Sequence, residues 1–350
     1  MDLTQLRAHA IGATFFPAMT LAKAIDRLGF VQADPIRSPA RAQDLILRHR
    51  VRNYHVGDLE RRFESLDVEE DYLYAYGFVS RAVWEDLHPR GVRKLTSAER
   101  RVLEIVGAHR KIHPRELEAY LGRARQRNAW GGYSKATTRI LHSLQYHGLL
   151  RVAGRENGVR LYASRGPLHL PADPAQRLRR LVLRIASLLA PISIGSLRRA
   201  LQLFGRASPS LPGRLSIVKS LLAAGDLDST IVEGIHYVWP AGRVGRARVG
   251  DVVRFLAPFD FLVWDRRRFE HLWGWPYRFE AYTPPAKRKL GYYAMPMLWR
   301  DSVIGWVNIS NTAGNFRVDA GYIKGAPADG EFRSAFDAEA SRFRQFLQPR

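Results

Sequence analysis

The stretch from Leu95 to Ser164 constrains the fold most, because it packs three helix patterns and a hairpin into one short segment. Thr96 followed by Glu99 has the form of a capping box, opening a helix through Val102, Leu103 and Val106 that stops at Gly107. A second, short helix is read at Pro114 to Leu121. Ser134 is placed to cap a third, Lys135 to His147, with Gly148 as its stop. Ala136, Ile140 and Leu144 share one face of it, and Lys135, Arg139 and His142 share another. Strand-like runs at Leu149 to Ala153 and Val159 to Ser164 then flank a Gly-Arg-Glu-Asn-Gly loop, which is hairpin chemistry. Three helices and a hairpin make a winged helix, whose third helix is the natural element to enter a DNA groove. The same module also serves elsewhere as a structural brick with a merely solvated polar face.

The plan recurs more loosely. Helices are expected at Pro174 to Leu189, Gly195 to Leu203 and Gly213 to Ala224, then strands at Leu227 to Val232 and Ile235 to Trp239 around a Glu233-Gly234 turn. Nearer the start, Thr20 caps a helix through Leu21, Ile25 and Leu28 that Gly29 ends, and Leu73 to Val79 reads as a strand. From Val249 on, aromatic and β-branched residues alternate with Arg, and a helix from Glu331 to Phe346 closes the chain. The expectation is an α+β protein with winged-helix-like modules at 1–92, 93–168 and 172–242 and a β-rich unit at 248–350.

Charge points to the partner. The chain has 55 basic and 33 acidic residues, a net charge of +22, and only eight of the basic residues are Lys. Guanidinium forks match phosphate oxygens bidentately, so an Arg-heavy surplus suits a polyanion. A GC-rich genome accounts for part of the Arg-to-Lys ratio, but not for the shortage of acids. Zero cysteines exclude disulfides, Cys-ligated zinc, iron–sulfur clusters and a Cys nucleophile. The histidines lack a metal signature and no Gly-Lys-Ser/Thr loop occurs, so no nucleotide, flavin or metal is expected. With no basic–apolar leader and no long apolar run, the reading is a cytoplasmic, nucleoid-associated protein with no membrane partner.

Two segments carry a family resemblance. Leu256 to Arg268 contains Phe259-Asp260 and Trp264-Asp265-Arg266, and Tyr282-Thr283-Pro284 leads to Lys287-Arg288. Near the start stand Gln32-Ala33-Asp34 and Ser38-Pro39-Ala40-Arg41-Ala42. These residues resemble the signatures of the YcaQ/AlkZ family of bacterial DNA glycosylases, in its Gln-x-Asp branch. The resemblance implies tandem winged helices curled in a C-shape around duplex DNA, with a small β-barrel at the carboxyl end. It also implies a monofunctional glycosylase that cuts the N-glycosidic bond of bulky or cationic alkylated purines, N7-alkylguanine included, and unhooks interstrand crosslinks. The implied partner is duplex DNA containing alkylated bases, bound by a monomer without an obligate protein partner. Two positions depart from the family: Phe261 replaces a proline, and Tyr76-Gly77 stands where Gln-x-Asp members carry His-Glu. The second departure bears on pocket shape.

Gln32 and Asp34 lie two apart just past a helix stop, so an extended chain projects both from one side. Asp34 is then the candidate to polarise a water and to stabilise an oxocarbenium-like sugar, and Gln32 to hold that water. An N7- or N3-alkylated base is already cationic, so one carboxylate suffices without a general acid. The structural alternative is Asp34 capping the turn at Pro35. Expected DNA contacts are Arg37, Arg41, Lys135, Arg139, Trp264, Arg266, Arg267, Arg268, Lys287 and Arg288. A non-catalytic DNA binder, either a regulator or a protein that sequesters damage, is the rival class.

Overall fold

The structure is a computed structural model that describes residues 1–90, 94–121, 125–127, 133–165, 173–214, 216–244, 250–312 and 314–348. The local rules read above are met at several helix ends. Thr20 Oγ1 accepts from the Lys23 amide at 3.4 Å to start Leu21–Leu28, and Gly29 ends that helix with φ of 73°. Thr96 and Glu99 form the complete capping box of Ser97–Gly107.

The helix Leu21–Leu28 feeds directly into the strand Phe30–Gln32. That strand pairs antiparallel with Tyr76–Ser80, which pairs on its other side with Val68–Tyr72. Of the expected strand from Leu73 to Val79, residues 73–75 are instead the turn between these two strands, closed by the Leu73 amide on the Ala75 carbonyl at 3.1 Å, and the remainder lies in Tyr76–Ser80.

Between residues 94 and 165, Ser97–Gly107, Pro114–Leu121 and Ala136–Tyr146 pack against the hairpin of Leu150–Glu156 and Val159–Ser164. Val102, Val106, Ile112, Leu117, Leu141, Leu144, Leu150 and Tyr162 form their own core. The hairpin turn is tighter than expected, because both Asn157 and Gly158 take positive φ, at 49° and 81°. Ser134 stands in the short strand Tyr133–Lys135 rather than at a helix cap. Further on, Pro174–Leu188, Ile194–Ala207 and Ile217–Ala223 accompany the hairpin Leu227–Val232 and Ile235–Pro240. A short strand, Ile192–Ser193, joins the hairpin's second arm.

The carboxyl-terminal part corrects the β-barrel expectation. Strands Val253–Phe255, Met295–Trp299, Ser302–Thr312 and Asn315–Tyr322 make an open antiparallel sheet in that order, and the outer two do not pair with each other. The helix Gly330–Leu347 covers the sheet instead, with Phe332, Phe343 and Phe346 buried against it. Closure is unnecessary when a helix supplies the second layer. Much of 256–293 is helical turn and loop rather than strand, including Phe261–Trp264 and Arg266–Trp273.

One buried ion pair ties the ends of the chain together. Both side chains of Arg50 and Asp260 are wholly buried, joined by two hydrogen bonds of 2.8 and 3.0 Å. Arg50 also donates to the Ile46 carbonyl at 2.6 Å and the Thr14 carbonyl at 3.2 Å, and lies near the rings of Phe15 and Phe261. Asp260 caps Phe261–Trp264 through the Leu262 amide at 3.1 Å. The terminal helix adds Glu339, which accepts from Arg48 at 2.8 Å and from the Phe255 amide at 3.2 Å. Removing one partner of such a pair strands a charge in the core. Asp260→Ala is expected to lower unfolding free energy by about 3–5 kcal/mol. The double change Arg50→Met with Asp260→Leu is expected to cost less, with urea midpoints as the measurement.

Candidate active site

Gln32 is the last residue of its strand, paired opposite Gly77. Pairing runs one residue further, since the Ala33 amide donates to the Tyr76 carbonyl at 3.0 Å. The chain then turns at Asp34, whose Oδ1 accepts from the Ile36 amide at 2.9 Å. The capping role set against catalysis is therefore real, but it occupies one carboxylate oxygen only. Asp34 is half-buried, and none of the ion pairs formed among the described residues includes it. Burial raises its pKa above the ordinary 3.8, and the Ile36 hydrogen bond only partly opposes that. Gln32 is 9% exposed, and its Oε1 is buried with no hydrogen-bond partner among the described residues. Two polar groups with unused capacity thus sit at one strand end.

The third member comes from the other end of the chain. Tyr293 is buried, and its hydroxyl has no hydrogen-bond partner among the described residues. Burial, then the nearby charge of Asp34, push its phenol well above the ordinary range, so it stays a protonated donor at neutral pH. Sequence reading saw Tyr292-Tyr293 only as strand-like aromatics. Nothing local marks either ring as facing a residue so far away in the chain.

Glycine 77 explains its own departure from the family. A Cβ there would run into the Val31 carbonyl and the Phe30 ring. The sheet that presents Gln32 therefore leaves no room for a glutamate at that position. Tyr76 turns to the hairpin instead: its hydroxyl donates to Glu70 and accepts from Arg160, whose guanidinium lies 4.9 Å from the ring centre. Glu70 also receives Arg155 at 2.7 Å, fixing the 150–164 hairpin to the sheet that carries Gln32.

The expected DNA contacts divide. Arg37, Arg267 and Lys287 are exposed, as is Arg139 on the helix Ala136–Tyr146. The Lys135 side chain lies outside the described residues. Arg41 is held by Glu60. Trp264 is half-buried, edge-on to Tyr74 at 4.7 Å, and Tyr74 in turn packs on Phe30 of the Gln32 strand. Arg288 donates to the Thr283 carbonyl at 2.8 Å.

Two arginines correct the surface reading. Arg268 is 1% exposed, and its guanidinium donates to the carbonyls of Leu189, Pro191, Phe261 and Leu262, so no face is left for phosphate. Arg266 donates to the Val263 and Pro258 carbonyls and lies 4.7 Å over the Tyr277 ring. Asp265 caps its helix through the Arg268 amide at 3.4 Å, instead of pairing with a neighbouring Arg side chain. Among the described residues, no cluster of three or more His, Asp or Glu side chains could hold a metal ion, and no helix is long and apolar enough to cross a membrane.

Comparison with known proteins places the whole chain in context. Residues 25–346 match the family model described as "DNA glycosylase AlkZ-like". The solved structure of the Streptomyces sahachiroi DNA glycosylase AlkZ is similar in fold, with a TM-score of 0.65 at 15% identity over 99% of this chain and 96% of that one.

The close approach at Gly77 sets a test. Gly77→Ala is expected to lower unfolding free energy by about 1–3 kcal/mol through overpacking. An unchanged denaturation midpoint would mean that the strand holding Gln32 is not pinned there.

Proposed function

Since the chain belongs to the AlkZ-like DNA glycosylase family, we propose that it hydrolyses the N-glycosidic bond of cationic or bulky alkylated purines, N7-alkylguanine first among them. Crosslinks joined through N7 belong to the same class. The observation that carries this reading is Asp34: a half-buried carboxylate with no ion-pair partner among the described residues, one oxygen uncommitted, two residues from Gln32 and near enough to Tyr293 for its charge to be felt there.

The chemistry needs few groups. The bond between C1′ and the alkylated nitrogen breaks, and its electron pair returns to the cationic ring, which leaves neutral. Asp34, ionised above its raised pKa, stabilises the positive charge that develops on the sugar. A water then adds its oxygen to C1′ and gives its proton to the Asp34 carboxylate. The Gln32 carbonyl oxygen and the Tyr293 hydroxyl, each without a partner among the described residues, orient that water. A bulky or crosslinked base need not swing fully into a closed pocket for these steps, unlike the base in a base-flipping enzyme.

Binding rests on charge and on the modules. The three-helix-and-hairpin units at 93–168 and 172–242, with a related unit at 1–92, are read as winged helices lining a C-shaped cleft around the duplex. The net charge of +22 supports such a partner. A monomer suffices for this arrangement.

A duplex carrying N7-methylguanine, incubated with the protein and then treated with alkali, is expected to break at the lesion and not before that treatment. Asp34→Asn is expected to slow excision by about 10²- to 10⁴-fold while leaving duplex affinity nearly unchanged. The excision rate should fall as pH drops through the raised Asp34 pKa, above the ordinary 3.8. Equal excision by the variant would reject the assignment and leave plain DNA binding. Separately, Lys287→Ala is expected to reduce the slope of log affinity against log salt by about 0.9. Filter or anisotropy binding to undamaged duplex measures that slope.

A further inference from the structure

Tyr282 is the most exposed large hydrophobic side chain among the described residues, at 78%. A lone exposed ring needs no explanation, but three observations set this one apart. It is the outer member of a run of rings that leads to the site. Phe279 lies edge-on to Tyr282 at 6.1 Å and to Tyr293 at 5.2 Å, and Tyr293 lies within reach of the Asp34 charge.

The loop carrying it is also held unusually firmly. Buried Glu280 accepts from the amides of Lys289 and Leu290 at 2.8 Å each and of Gly291 at 3.3 Å. The Thr283 amide donates to the Glu280 carbonyl at 2.9 Å, and Asn308 anchors the Leu290 carbonyl at 2.7 Å. Ordering a surface loop this way costs chain entropy that packing alone does not recover, since the ring it presents stays in water.

Cations flank Tyr282 in sequence, between residues 278 and 289. Arg278, Lys287 and Lys289 are exposed, and none of the ion pairs formed among the described residues uses them. An exposed aromatic ring on a firmly held segment that also carries exposed cations has the composition that takes a nucleobase and its phosphates.

We propose that Tyr282 is a stacking platform for the nucleobase at or beside the lesion, and that Arg278, Lys287 and Lys289 hold the flanking phosphates. The inference rests on the reading of the chain as acting on damaged duplex, and it deepens that reading. A flat, large or already unstacked base gains most from the ring, so planar bulky adducts are favoured over simple methylation.

The test uses the full-length protein and a duplex with 5-iodouracil next to N7-methylguanine. Irradiation is expected to crosslink that base to the peptide containing Tyr282, and Tyr282→Leu to abolish the crosslink. Tyr282→Leu should also weaken affinity for the damaged duplex about tenfold, the scale of losing one base–aromatic stack. Tyr282→Phe should preserve both, and the salt slope should stay as in wild type for either variant. A crosslink elsewhere, or wild-type affinity in the Leu variant, overturns the platform even if excision proceeds. A Tyr282 crosslink in a protein that excises nothing upholds the platform and removes the glycosylase chemistry instead.

Discussion

The buried pair of Arg50 and Asp260 is the interaction on which the rest of the architecture depends. It joins the amino-terminal helices to the loop that leads into Phe261–Trp264. The candidate site is split across the same junction, with Gln32 and Asp34 on one side and Tyr293 on the other. A salt bridge so far from water adds little net stability compared with apolar packing, but it tolerates almost no displacement. Geometry is therefore its main contribution. It holds two distant parts of the chain in one register, and the aromatic contact between Trp264 and Tyr74 reinforces it beside the Gln32 strand.

Acidic residues are disposed in a way that sharpens the positive surface. Glu69, Glu70 and Asp71 are consecutive on one strand and all buried. Arg151 and Arg165 meet Glu69, Arg155 and Arg160 meet Glu70, and Arg90 meets Asp71 at 2.7 Å. Burial pushes Glu69 up to about 7, the cost of placing its charge there. Part of the scarce negative charge is thus spent on internal assembly, attaching the 150–164 hairpin to the sheet beside the site. Exposed cations such as Arg37, Arg267 and Lys287 are correspondingly left to face a polyanion.

What could be read from sequence was local. Thr20, Gly29, Thr96 and Glu99 act within a few residues of themselves, so their roles as caps and stops needed no tertiary knowledge. The hairpin was equally visible, though its first strand runs on to Glu156 and only Asn157-Gly158 of the expected five-residue loop makes the turn. The carboxyl-terminal unit was less legible, because aromatic and β-branched residues report burial on a pleated surface as much as extended backbone. Tyr277 and Tyr293 meet that description while lying in loops, whereas the helix that covers the sheet was legible from its own segment. Arg268 looked like surface charge, since composition cannot reveal that unpaired main-chain carbonyls will satisfy a buried guanidinium. Gln32 and Asp34 were found through resemblance. Their partner Tyr293 was not, because proximity between opposite ends of a chain leaves no mark on either segment.

The terminal helix closes back onto the beginning of the polypeptide: the Val56 amide donates to the Phe346 carbonyl at 3.0 Å, and Tyr54 stacks near Phe346. During synthesis this helix emerges after every element that it covers. A nascent polypeptide without it has both Asp34 and Tyr293 but lacks the Glu339 and Phe346 contacts that join the carboxyl-terminal sheet to the first sixty residues. Clipping of this helix would accordingly loosen the junction across which the candidate site is divided.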